Sequence, residues 1–325
     1  MFYLIMRFFF ALLFIFISIS ASATQWLKFD DKTFLIAPPS DARYLTSNQA
    51  ILVGQRCAAI IDAHGDFSAL ENFASEVKKR IPQPICHLFS TSSDEEQILG
   101  MMLLANEFPG ATWHAPRHVS QHFNEYQSAL KDKLSRFEKS LQLSQSRVEI
   151  QSNAQLQQRL NKAKARIDKW LSTSFSSPTL LKAAQVTLDL GKHSIVVEEI
   201  EGATQGNLSI LSHHNLGLFA GLTTNPIPYV QESDLEAWFT TVKKLRHAEK
   251  VTWLLPAQGK PYKLKALEKP ISFLEAAINS DSMAMPEALL AMYKTDELTQ
   301  TRLRLMYELA KAKQVQKMQK QGTVL

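Results

Sequence analysis

The stretch Thr91-Ser92-Ser93-Asp94-Glu95-Glu96-Gln97 follows an apolar run at residues 85–89 and sets hydroxyl, carboxyl and amide groups in consecutive positions. Ser92 or Ser93 becomes a nucleophile only beside a general base. The chain has no Gly-x-Ser-x-Gly turn of the kind that presents a serine at the top of a sheet. Asp94 and Glu96 can instead cap the helix that the following residues begin, where a carboxylate accepts from free backbone N–H groups and suits the positive end of the dipole. The imidazoles offer less. His114, His118 and His122 do not recur at the spacing of a metal-ligand set, and His213-His214 falls in a hairpin loop, so these read as surface or packing residues.

An α/β frame must position the 91–97 stretch. Residues 50–53 and 57–61 are short β-type runs split by Gly54-Gln55-Arg56, a hairpin signal. Leu70, Phe73, Val77 and Ile81 recur at helical spacing across residues 67–81, and Pro82 and Pro84 close that helix. The continuously apolar run 85–89 suits a strand covered on both faces. A helix at 95–108 and a strand at 111–115 complete the first half. Residues 120–172 read as an inserted helical hairpin, with Phe123, Tyr126, Leu130, Leu134, Phe137 and Leu141 on one stripe and Leu156, Leu160, Ala163, Ile167 and Trp170 on the next. Its Lys/Arg-rich face is expected to be solvated. After a Ser/Thr-rich linker come strands at 186–190, 194–199, 208–211 and 216–219. A helix at 234–245 follows, with Asp234 as its cap, then a buried strand at 251–255 ending at Pro256. Helices at 265–279 and 286–293 precede a last long helix from about Thr295, with Asp296 and Glu297 in its first turn and a Lys/Gln-rich tail.

With 325 residues, 45% of them hydrophobic, the chain can bury a sizeable core. Its net charge of +5 is spread thinly, which argues against a nucleic-acid partner. Arg7, the apolar run 8–19 and Ala21-Ser22-Ala23 read as a signal peptide over residues 1–23, with Met6 as an alternative start. The run is short for a membrane span, and no stable membrane insertion is expected after cleavage. The expected location is periplasmic or secreted, in a bacterium. Cys57 and Cys86 each open a β-type run and lie five residues before the polar residue that ends it. On adjacent parallel strands they would stand level, near disulfide spacing, and an exported compartment permits the bond. Two buried small hydrophobes facing opposite ways satisfy the same pattern.

Five segments in order along residues 48–278 resemble the metallo-β-lactamase superfamily. Ile60-Ile61-Asp62 resembles its strand ending in Asp. The 91–97 stretch stands where the family has Thr-His-x-His-x-Asp-His, with Gly100 in place of a glycine pair. Gly202-Ala203-Thr204-Gln205-Gly206 resembles Gly-His-Thr-x-Gly, Leu218-Phe219-Ala220-Gly221-Leu222 resembles Leu-Phe-x-Gly-Asp, and Leu254-Leu255-Pro256-Ala257-Gln258-Gly259 resembles Val-Val-Pro-Gly-His-Gly. Leu188-Asp189-Leu190-Gly191, Asn225-Pro226-Ile227-Pro228-Tyr229, the helix carrying Leu235-Glu236-Ala237-Trp238 and the inserted hairpin are most similar to exported metallohydrolases associated with quinoprotein relay systems.

The resemblance implies a four-layered αββα sandwich over residues 24–280, a C-terminal helical extension at 281–325 and a metal site at one edge between the sheets. Carried over position by position, the family's His, His, Asp, His, His, Asp and His become Ser92, Asp94, Glu96, Gln97, Ala203, Leu222 and Gln258. Zinc needs imidazole, thiolate or carboxylate donors. The expectation is therefore no metal and no cofactor, although zinc is the family's ion. Asp94, Glu96, Gln97 and Gln258 have the ligand types for a hard cation. His64, just beyond the Asp62 strand end, is the one imidazole expected near the same edge. The resemblance thus implies an exported pseudoenzyme that binds a small molecule or a periplasmic protein partner. The alternative is a hydrolase with an altered site around Asp94, Glu96 and Gln258, with Asp62 and His64 as accessories. A third reading is an interaction scaffold using the basic hairpin and the C-terminal helix.

Overall fold

A computed structural model describes residues 25–38, 46–151, 154–293 and 296–320. The signal peptide and cleavage site expected at residues 1–23 lie outside the described residues, as does Thr295. One sheet is formed, in chain order, by β1 (Gln25–Lys28), β2 (Thr33–Ala37), β3 (Gln49–Val53), β4 (Ala58–Ile61), β5 (Ile85–Phe89) and β6 (Thr112–His114). The first four strands run as an antiparallel meander, while β4, β5 and β6 are parallel. Parallel neighbours need crossovers, supplied by α1 (Phe67–Arg80) and α2 (Glu95–Glu107). β1 has no periodic signal in the sequence. It exists because the edge of β2 offers it a ladder and because Trp26 packs on Phe73, with ring centroids 5.8 Å apart.

The hairpin follows as α3 (Arg117–Gln121), α4 (Phe123–Gln151) and α5 (Ala154–Leu171). The second sheet comprises β7 (Gln185–Asp189), β8 (Ser194–Ile200), β9 (Asn207–Ser212), β10 (Gly217–Gly221) and β11 (Trp253–Pro256), in the order β11-β10-β9-β8-β7. The remaining helices are α6 (Leu235–Arg246), α7 (Glu268–Asn279), α8 (Glu287–Tyr293) and α9 (Glu297–Lys320).

Three apolar clusters divide the molecule into four layers. Leu52, Ile61 and Phe89 of one sheet meet Ile195, Ile210, Phe219 and Leu255 of the other. Val77, Met102, Leu134 and Trp170 bury α1, α2 and the hairpin against the outer face of the first sheet. Trp238, Phe273 and Tyr307 bury α6, α7 and α9 against the second. The order is αββα, as the motif order implies.

Cys57 and Cys86 form a disulfide between the start of β4 and β5, with Cα atoms 5.8 Å apart. The parallel register moves by one residue there, from Ala58↔Ile85 to Ala59↔His87. Both cysteines also pack on the inter-sheet core, so the bonded and the apolar role coexist.

The hairpin's basic face is not wholly solvated. Lys133 lies on the buried stripe beside Leu130 and Leu134, and its side chain is 7% exposed. The last helix packs on the second helical layer. Tyr307 donates its hydroxyl to the Ala276 carbonyl at 3.1 Å, and Lys317 pairs with Asp234 and Glu236 of the α6 N-terminus. Among the described residues no helix is long and apolar enough to cross a membrane.

Candidate functional site

The C-terminal ends of β4, β5, β10 and β11 converge on one edge of the sandwich, where the backbone turns sharply. Asp62 ends β4 with φ 63°, a left-handed conformation rare for a residue with a side chain. Its buried carboxylate accepts from the Thr91 backbone N–H at 2.7 Å and from the Thr91 hydroxyl at 2.8 Å. Burial outweighs those donors and pushes the carboxyl up to about 7. Gly221, at φ 47°, allows this approach, since a Cβ there would stand 2.0 Å from Thr91 Oγ1. The edge also joins the two sheets: the Leu208 N–H donates to the Thr91 carbonyl at 2.9 Å, and Ser92 bridges to Asn207.

Beyond β5 the polar residues satisfy one another. Asp94 is the N-cap of α2 and accepts from the Gln97 N–H at 3.1 Å, while its second oxygen accepts from Gln231 Nε2 at 2.6 Å. Burial raises its carboxyl above the usual carboxylate range. Ser92 donates its hydroxyl to Gln97 Oε1 at 2.5 Å and accepts from the Asp94 N–H. Glu96 does not cap. It reaches the Lys133 ammonium, which also donates to the Gly65 carbonyl at 3.3 Å and lies 4.6 Å from the centroid of the Phe67 ring. Gly65 leaves room for this pair, since a Cβ there would stand 1.8 Å from Glu96 Oε2 and push the carboxylate aside.

A cavity of about 470 Å³ opens at this edge. Asp94, Glu96, Gln97, Gln258 and Leu222 line one side; Leu298, Thr301, Arg302, Leu305 and Met306 of α9 line the other, with Tyr229 between. Arg302 donates to Gln258 Oε1 at 2.6 Å, tying the helix to the strand end. Ser92 and Ala203 are buried and lie outside the lining. His64 is outside it too: its Nδ1 accepts from the Asp66 N–H at 3.2 Å, and burial lowers its imidazole to about 4, keeping it neutral. His114 packs on Phe89, with ring centroids 5.2 Å apart. His118 and His122 stack at 4.1 Å on the wall of a neighbouring open cleft with Glu125, Tyr126 and Glu232. His214 bonds Asp31 in the turns at the opposite end of β10.

Lys133, Gln231 and Arg302 are the site residues that sequence reasoning missed. Two carried a faint signal. Lys133 follows Leu130 by three, and Arg302 precedes Met306 by four, so each sits on the buried stripe of its helix. No family model and no curated protein matches this sequence. Solved structures do. A metallo-beta-lactamase from Pontibacter korlensis aligns with TM-score 0.56 over 78% of this chain and 99% of its own, at 15% identity. FIM-1 from Pseudomonas aeruginosa, in its mono-zinc form, gives 0.54 over 78% and 96% at 11% identity. A metallo-beta-lactamase from Hirschia baltica gives 0.51 over 78% and 97% at 11% identity.

The chain has the metallo-β-lactamase fold. On that fold, Asp94, Glu96, Gln97, Leu222 and Gln258, the positions that the motif resemblance assigns to ligands, share the wall of one cavity. Oxygens of the four polar ones have partners within the protein, Asp94 with Gln97 and Gln231, Glu96 with Lys133, Gln97 with Ser92 and Gln258 with Arg302. Among the described residues, the one group of three His, Cys, Asp or Glu whose ligand atoms lie within 4.8 Å of one another is Asp30, Asp31 and His214, away from this edge.

Proposed function

We propose that this chain is an exported metallo-β-lactamase-fold protein that has given up metal catalysis and uses the cleft to bind a small molecule or a periplasmic protein partner. One observation carries the reading: the carboxylates at ligand positions are already engaged, Asp94 as a helix cap held by Gln231 and Glu96 on Lys133. Leu222 and Ala203 offer carbon where the family has a carboxylate and an imidazole. These residues do not fit zinc, which requires three or four converging nitrogen, sulfur or carboxylate donors. The leader-like N-terminus and the Cys57–Cys86 bond support export. The four sequence features shared with quinoprotein-relay metallohydrolases support a place near that group.

Metal analysis of the purified protein is expected to find well under one equivalent of zinc, and ester, thioester and β-lactam probes are expected to survive. Stoichiometric zinc together with turnover abolished by a chelator would overturn the reading.

An altered-site hydrolase draws on a different observation: burial holds Asp94 above the ordinary carboxylate range, a shift that suits a general acid. Asp94→Asn separates the two, since it keeps the cap. Loss of a measurable wild-type turnover at unchanged melting temperature favours the enzyme, and absence of turnover in both proteins favours binding.

A further inference from the structure

The cavity under α9 has a division of chemistry that narrows what it holds. Leu222, Tyr229, Leu298, Leu305 and Met306 supply an apolar body beside the polar side chains of Asp94, Gln97 and Gln258. Its volume of about 470 Å³ falls in the roughly 300–1,000 Å³ range of small-molecule sites. The charges at its floor are matched within the protein. Glu96 is paired with Lys133, and Asp94 receives the α2 N-terminus and Gln231. Arg302, the remaining charge in the lining, is tied to Gln258 Oε1, so a charged guest would lose its water and have to compete with these internal bonds, a cost that a neutral guest avoids.

We infer that this cavity binds a neutral, predominantly apolar small molecule with one hydrogen-bonding end, its body between Leu222 and α9 and its polar end on the amide and carboxyl groups of Gln97, Gln258 and Asp94. The inference rests on the cleft being a binding site rather than a catalytic one, and it fixes the class of ligand. Entry is past α9, where Leu298 is 70% and Leu305 51% exposed although both line the cavity. Singly exposed leucines need no explanation, but two at the mouth of one apolar chamber, seven residues apart on one helix face, form an apolar rim.

Titration of the full mature chain with N-phenyl-1-naphthylamine, followed by fluorescence, tests this. The neutral probe is expected to saturate at one equivalent. Its sulfonated relative 1-anilinonaphthalene-8-sulfonate is expected to bind at least about tenfold more weakly. Leu305→Glu and Leu298→Glu, exposed enough to leave folding intact, are each expected to weaken the neutral probe by about tenfold. Leu143→Glu, on the exposed hairpin surface, should leave it unchanged. Unsaturable binding, equal or tighter binding of the sulfonate, or indifference to both rim variants overturns the inference. Zinc content and turnover, measured on the same preparation, report separately on whether the cleft is catalytic.

Discussion

Asp62 shows how one side chain can set a pH dependence. Burial raises its carboxyl from 3.8 to about 7 in the folded state, so the native protein holds that proton more tightly than the unfolded chain does. Its contribution to stability is therefore full below about pH 4 and is lost as pH rises through 7. Buried His64, lowered to about 4, acts in the opposite sense over the same window, so the Asp62 contribution is read as a difference: the wild-type urea midpoint is expected to fall with rising pH relative to that of Asp62→Asn, whose neutral amide keeps the shape of the protonated acid. A difference that stays constant with pH would assign the effect to another group. Glu96 and Lys133 form the other informative pair. Glu96→Ala leaves a buried ammonium with the Gly65 carbonyl and the Phe67 ring. Glu96 is 31% exposed, which discounts the cost to roughly 1–3 kcal/mol. Glu96→Gln should recover part of that loss in the same denaturation measurement.

The elements that carry these residues are held by a few identifiable bonds. The Cys57–Cys86 disulfide closes a loop with a sequence separation of 29 residues, for which chain entropy implies about 3–4 kcal/mol. Reduction by dithiothreitol is expected to lower the urea midpoint accordingly. Helix α9 depends on Tyr307, which is fully buried, stacks edge-on against Phe273 at 5.7 Å and donates to the Ala276 carbonyl. Tyr307→Ala is expected to cost about 3–5 kcal/mol and to loosen the roof of the cavity. Tyr307→Phe removes only the hydroxyl bond and should cost about 1 kcal/mol. Comparable losses in the two variants would mean that packing contributes little there.

At the scale of the whole molecule, zinc tests the proposed loss of the metal site. A protein that binds zinc in its native state gains stability from it by mass action. Because the donors at the site do not converge, neither added zinc nor EDTA is expected to shift the melting temperature by more than about 1 °C, since each 1 kcal/mol moves a domain of this size by a few degrees. A rise of several degrees with zinc, reversed by chelator, would require a ligand set other than the one at this edge. What the sequence determined by itself was whatever a local period or motif records: the strands flanking the Gly54 hairpin, the paired helices of the insertion, Asp234 and Asp94 at helix starts, and the five segments whose order implies the sandwich. What only the tertiary structure decided was how the polar residues at the edge are spent and what roofs them. Glu96 meets Lys133 from 37 residues away, Gln258 meets Arg302 from 44, and Asp94 meets Gln231 from 137. Such pairings leave no repeat in the chain, because a side chain's partner is set by which elements pack together, and packing is decided by the summed burial of faces far apart in sequence.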